Sequence, residues 1–176
     1  MSTLNVYLAD LPGAVRYPAP LRRTVQRFFD LAIQHSKFGN AVVQWTSRKP
    51  ALAPSDLMVY FVEGPEDSVV KELTKNLGPS GTTYIGQQVA SEVYLGGHGF
   101  TPTAETLGKL AIHELMHNVT KMGESLHRVP GVSIGKESIS SETEPSSADT
   151  KLVGTRLGIR RRQWEKGFTI YNDPLR

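Results

Sequence analysis

Apolar residues recur along this chain of 176 residues with two different periods. Near the start, LNVYLA (residues 4 to 9) alternates weakly and predicts a strand. After the proline-rich stretch PGAVRYPAP, the run LRRTVQRFFDLAIQHSKF carries Leu21, Val25, Phe28, Ala32 and Ile33 at three- and four-residue steps. That period predicts an amphipathic helix, closed by Gly39-Asn40. AVVQWT is rich in β-formers, SRKPALAPS is a proline-broken loop, and DLMVYFV (56 to 62) is the most apolar strand, expected at the centre of its sheet. GPEDSVVKELTKNLG predicts a short helix with an acidic first turn and a glycine stop.

Two short strand-like runs follow, GTTYIGQQ and ASEVYLGG. HGFTPTAETLGKLAIHELMHNVTKMG then carries a long helical pattern, with Thr101-Pro102 as its expected start and Gly123 as its expected end. VSIGKESISSETEPSSAD is polar and serine-rich and predicts a loop, with 133 to 148 as a candidate flap. SADTKLVGTRLGIRRRQW predicts a last helix capped by Ser146 or Ser147. Strands interspersed with helices predict a mixed α+β fold: a small, twisted mixed sheet with helices packed on it, in one domain over residues 1–176.

Composition narrows the chemistry. Hydrophobic residues make up 39% of the chain and charged residues 21%, a globular balance. No segment approaches the roughly 18–20 apolar residues of a membrane span, and the start has no basic leader followed by an apolar block. The expected location is therefore the cytoplasm, or export without a cleaved leader. There is no cysteine, so any transition metal must be held by His, Asp and Glu. The net charge is +3, with much of the excess in LRR at 21 to 23 and in RLGIRRRQWEK. Such a run meets phosphates in some proteins, but a solvated helix face is its ordinary role, so nucleic acid is not an expected partner.

The helical stretch KLAIHELMHNVTKMG holds His113 and His117 four residues apart, with Glu114 beside the first. At about 100° per residue both rings leave one side of the helix, one turn apart. Leu107, Ala111, Ile112, Leu115, Met116, Val119 and Met122 gather on the opposite arc, and Thr106 and Thr120 share the histidines' wedge. Two imidazoles so placed can both reach a zinc ion, while Glu114 lies too far round to bind it well and is placed to act as general base. His127 is the first choice for a third ligand and Asp149 the second. His98, Glu137, Glu142 and Glu144 also compete.

His113-Glu114-Leu115-Met116-His117, followed by Gly123 and His127, resembles the zincin class of zinc metallopeptidases and, within it, the metzincins. Their pattern is His-Glu-x-x-His-x-x-Gly-x-x-His, with the helix ending at the Gly. Here the interval is longer, and the likeness covers only Ile112 to Pro130. No methionine follows Met122, so the methionine turn of that clan is absent, and Leu152 or Val153 would take its place. The resemblance implies a zinc metalloendopeptidase acting on a protein or peptide substrate. It also implies that the sheet edge within TTYIGQQVASEVYLGG binds an extended peptide along Gly86 to Ser91 or Val93 to Gly97. Tyr94, Gly96, Gly97 and His98 are then candidate substrate contacts, and Tyr94, His98 and Tyr171 candidate oxyanion donors. The rival readings are a binding protein whose zinc only supports the fold, and a basic nucleic-acid module using Arg160 to Arg162.

Overall fold

In a computed structural model, residues 1–53, 55–71, 77–85, 89–96 and 102–165 are described, with the backbone alone over 158–165. Five strands form one mixed sheet: β1 (Thr3–Asp10), β2 (Asn40–Thr46), β3 (Leu57–Val62), β4 (Gly81–Ile85) and β5 (Val89–Tyr94). Their order is β2-β1-β3-β5-β4, parallel throughout except for the antiparallel pair β4 and β5. The longest helices are α1 (Pro18–Ala32), α2 (Ala104–Thr120) and α3 (Ser147–Glu165). The α+β class expected from the alternation of patterns is the one observed. DLMVYFV also takes the central place, because β3 is buried at every position and only a middle strand has both faces covered.

All three helices cover one face. Leu4, Val6 and Leu8 of β1, Val59 and Phe61 of β3 and Val93 of β5 meet Val25, Phe28 and Phe29 of α1 and Ile112, Leu115 and Met116 of α2. Val153 and Leu157 of α3 close the same core. The other face holds a smaller cluster of Ala9, Met58, Tyr60, Val62 and Tyr94, covered by Leu52 and Val69 from loops. The period of two along β5 decides which residue goes where: Ser91 and Val93 face α2, while Glu92 and Tyr94 face the loops.

Several boundaries differ from the sequence expectations. Helix α1 ends at Ala32 and passes through a 3-10 turn (Ile33–His35), so Asn40 opens β2 instead of closing the helix. The helix expected from GPEDSVVKELTKNLG is a 3-10 turn (Pro65–Asp67) followed by turns to residue 71, and residues 72–76 lie outside the described set. Its polar groups are taken by tertiary partners. Glu92 accepts from Ser68 Oγ and from Val69 N at 3.0 Å, and Ser68 Oγ accepts from Val70 N at 3.2 Å. Among the described residues, no helix is long and apolar enough to cross a membrane.

Helix α2 is capped by Thr103, whose Oγ1 accepts from Thr106 N at 3.1 Å, and not by Thr101, which lies outside the described residues. It stops at Thr120, three residues before the expected Gly123. Lys121 takes the left-handed conformation with φ 53° and donates its N–H to His117 O at 2.8 Å. At α3 the expected cap holds: Ser146 Oγ accepts from Asp149 N at 3.2 Å, and Ser146 N donates to Asp149 Oδ2 at 2.7 Å, a reciprocal capping box.

Candidate metal centre

Helix α2 crosses the sheet over β3, β5 and β4 and is covered on its polar side as well, so the histidine wedge is buried rather than presented to solvent. His113 and His117 are 7% and 9% exposed. Because α2 ends at Thr120, the chain can double back, and a 3-10 turn (Leu126–Arg128) returns His127 to the same point. Nε2 of His117 lies 3.1 Å from Nε2 of His113 and 3.2 Å from Nε2 of His127. One ring nitrogen from each of the three lies within 4.8 Å of the others, close enough to hold a metal ion.

The other ring nitrogens explain this orientation. His113 Nδ1 donates to the Ile134 carbonyl at 2.7 Å, and His117 Nδ1 donates to the Met122 carbonyl at 2.6 Å. A carbonyl can only accept, so each Nδ1 carries the proton and each Nε2 keeps its lone pair. Burial, with the neighbouring His117 imidazole, pushes His113 down to about 4, and burial also lowers His117. Neutral rings then turn lone pairs toward one another with no proton between them, an arrangement that a cation at their focus relieves. The donor set therefore fits a borderline-soft divalent ion such as zinc. His127 Nδ1 is buried and without a hydrogen bond; Glu124 Oε2 stands 3.2 Å away, outside hydrogen-bond geometry.

Glu114 points to the β4 side of this cluster. Its Oε2 accepts from Thr83 Oγ1 at 2.7 Å, and its backbone carbonyl accepts from Ser91 Oγ at 3.1 Å, which in turn accepts from Asn118 Nδ2 at 3.2 Å. Burial pushes the Glu114 carboxyl up to about 8, against the pull of the Thr83 hydrogen bond, and the Glu92 charge adds to the rise. Gly81 makes room for this carboxyl: a Cβ there would stand 2.6 Å from the Glu92 carbonyl oxygen and 2.9 Å from Glu114 Oε1.

A cleft of about 470 Å³ opens over these groups. Residues 77–83 and Ile85 form one wall, Gly123, Glu124 and His127 the end, and Glu137, Ser138 and Ile139 the opposite wall. That last wall is the expected flap, and it is tied down. Lys109, one turn before His113 and 1% exposed, donates to Ser141 O at 2.6 Å and to Glu144 Oε1 at 3.0 Å.

Of the residues expected here, His113, Glu114, His117 and His127 come together. Asp149 does not join them, because its carboxylate accepts from the backbone N–H groups of Ser133, Ile134, Gly135 and Ser146. Glu144 pairs with Lys109, Glu142 is exposed, and Glu137 lies on the cleft wall. Tyr94 is corrected as a substrate contact: strand alternation turns it to the far face, where its hydroxyl donates to Glu92 Oε1 at 3.1 Å. Gly96 is also away from the cleft, its N–H bonded to Glu63 O at 2.8 Å. Among the described residues the cleft runs along β4 and not along 89–91 or 93–96, since β5 is paired on both sides. Gly86 to Gln88, Gly97, His98, Tyr171 and the side chains of Arg160 to Arg162 lie outside the described residues. Leu152 and Val153 pack in and against the core; the turn beside the site is 132–135.

Sequence reasoning missed Thr83, Ser91 and Gly81. The available signal was polar residues on the inward face of buried strands, where a hydroxyl needs a partner. No family model and no curated protein matches this chain.

Proposed function

We propose that this protein is a zinc-dependent peptidase of the zincin type, with His113, His117 and His127 as ligands and Glu114 as general base. The observation that carries this reading is the meeting of three imidazole Nε2 atoms, two of them fixed by Nδ1–carbonyl bonds, beside a buried carboxylate on an open cleft. A zinc ion held there would supply Lewis acidity, polarising a carbonyl and lowering the pKa of water toward neutrality.

The chain's own groups divide the remaining work. Thr83 occupies Oε2 of Glu114, which leaves Oε1 to receive the proton of the attacking water and pass it to the departing amine. The raised affinity of this buried carboxyl for a proton suits that transfer. Among the described residues β4 has a partner on one side only, and its residues line the cleft, so an extended peptide can add there as a further strand. A zinc site that only supports the fold would call for a fourth protein ligand. Asp149, the expected candidate, is engaged by backbone amides instead.

Metal analysis and cleavage of a mixed peptide library test the proposal. One zinc per chain and cleavage abolished by a chelator are expected. Glu114→Gln should keep the zinc and lose about 10²–10⁴-fold in rate. A chain that neither contains nor takes up a divalent ion overturns the reading, as does full activity in Glu114→Gln.

A further inference from the structure

The wall of the metal centre behind His113 is a turn, residues 132–135, that makes no regular secondary structure and turns three of its N–H groups to the side chain of Asp149. Asp149, fully buried in the first turn of α3, accepts from Ser133 N, Ile134 N and Gly135 N, each at 3.1 Å. Three consecutive N–H groups thus converge on one carboxylate, a backbone nest closed around an internal anion. Ser146 adds its N–H at 2.7 Å and its hydroxyl at 2.9 Å.

The peptide group between Ile134 and Gly135 is gripped at both ends. Its N–H donates to Asp149 Oδ1, and its carbonyl accepts from His113 Nδ1 at 2.7 Å. A peptide whose N–H is bound to a carboxylate becomes a stronger acceptor at its carbonyl, because the two bonds polarise the same group in the same sense. The negative charge is therefore felt at His113 through one intervening peptide, and the proton is drawn to Nδ1.

We infer that Asp149 is a positioning residue for His113, acting through the Ile134–Gly135 peptide to fix the ring's orientation and tautomer so that Nε2 faces the centre. This deepens the zinc reading and rests on it for its consequence, though not for its geometry. Residues that orient metal-binding imidazoles commonly change metal affinity by about 10–100-fold when replaced. Asp149→Asn keeps the size of the side chain but loses the charge and part of its capacity to accept.

Two measurements on the same variants test the inference. In metal-free protein above pH 7, long-range ¹H–¹⁵N correlation spectra should show His113 in the Nδ1–H form in the wild type and as a tautomer mixture in Asp149→Asn. Zinc titration against a chromophoric chelator should show affinity falling about 10–100-fold in Asp149→Asn. Leu157→Ala, which removes a buried core contact of α3 far from the nest, serves as the control for destabilisation and should leave both readouts unchanged. An unchanged tautomer and affinity in Asp149→Asn, or an equal loss in Leu157→Ala, overturns the inference and leaves the zinc reading standing. A wild type that binds no zinc overturns the zinc reading, while the tautomer measurement still decides what Asp149 does.

Discussion

Two buried ionisable clusters lie on opposite faces of β5, and they resolve burial in opposite ways. On the loop side, Glu92 is fully buried, and its carboxylate accepts from Ser68 Oγ, Tyr94 Oη and Val69 N. On the helix side, His113, His117 and His127 turn like atoms toward one another, and the Glu114 carboxyl leaves one oxygen without a hydrogen bond beside the cleft. Burial raises the carboxyl pKa in both clusters. Burial and a shifted pKa are therefore not what separates them. The difference lies in completeness: the first cluster pairs each acceptor with donors, and the second turns the Nε2 lone pairs of His113 and His117 and the Nε2 of His127 toward a point that no further side chain reaches among the described residues. Incomplete satisfaction at the edge of an open space is what marks a site for an ion or a substrate.

Removing one imidazole gives the largest expected contrast. His127→Ala should weaken zinc binding by roughly a thousandfold, a share of the ~10–16 kcal/mol that four ligands supply in zinc-finger sites. Its metal-free unfolding midpoint should fall only slightly, because Nδ1 of that ring makes no hydrogen bond and its remaining polar contacts are the His117 ring and the exposed Glu124 carboxylate. Competition titration and urea unfolding check both halves, and unchanged zinc affinity would remove His127 from the ligand set.

Thr83→Val sharpens the comparison from the carboxylate's side. It deletes the hydroxyl that holds Glu114 Oε2 while nearly preserving volume. A hydrogen bond to a charged group is worth about 1.5–3 kcal/mol, so peptide cleavage should fall about tenfold or more with zinc content unchanged. Equal rates in the two proteins would show that Glu114 needs no such restraint.

The smallest effect is expected at the complete cluster. Burial raises the folded-state pKa of Glu92 above its ordinary 4.5. A carboxyl raised in this way contributes stability that is fully present below that ordinary value and is lost as pH rises through the folded-state value. Glu92→Gln should lack that decline and should bind zinc as the wild type does. Urea midpoints measured across acid to neutral pH read the difference, and parallel curves for the two proteins would contradict the assignment.

Much of the helix side was legible because its determinants are local. Four-residue spacing puts His113 and His117 on one wedge wherever the helix lies, and the apolar arc opposite them packs as its period requires. The end of the helix was not legible. Gly123 carries the usual stop signal, yet it is the non-glycine Lys121 that takes the left-handed conformation, and His127 returns by way of that earlier turn. Likewise, a run with helical composition at 64–71 gave way to turns because Glu92, more than twenty residues away, takes its hydroxyl and amide groups.

The sequence by itself determined the α+β class, the central place of β3, the pairing of two imidazoles with an adjacent carboxylate, and the exclusion of thiolate ligands. These follow from period, composition and neighbours within a turn or two. Only the tertiary structure decided between His127 and Asp149 for the third place in the cluster, brought Thr83 to Glu114 across 31 residues, and turned Tyr94 away from the cleft. Those choices depend on strand register and on how loops close, where a shift of one residue exchanges the two faces of a strand.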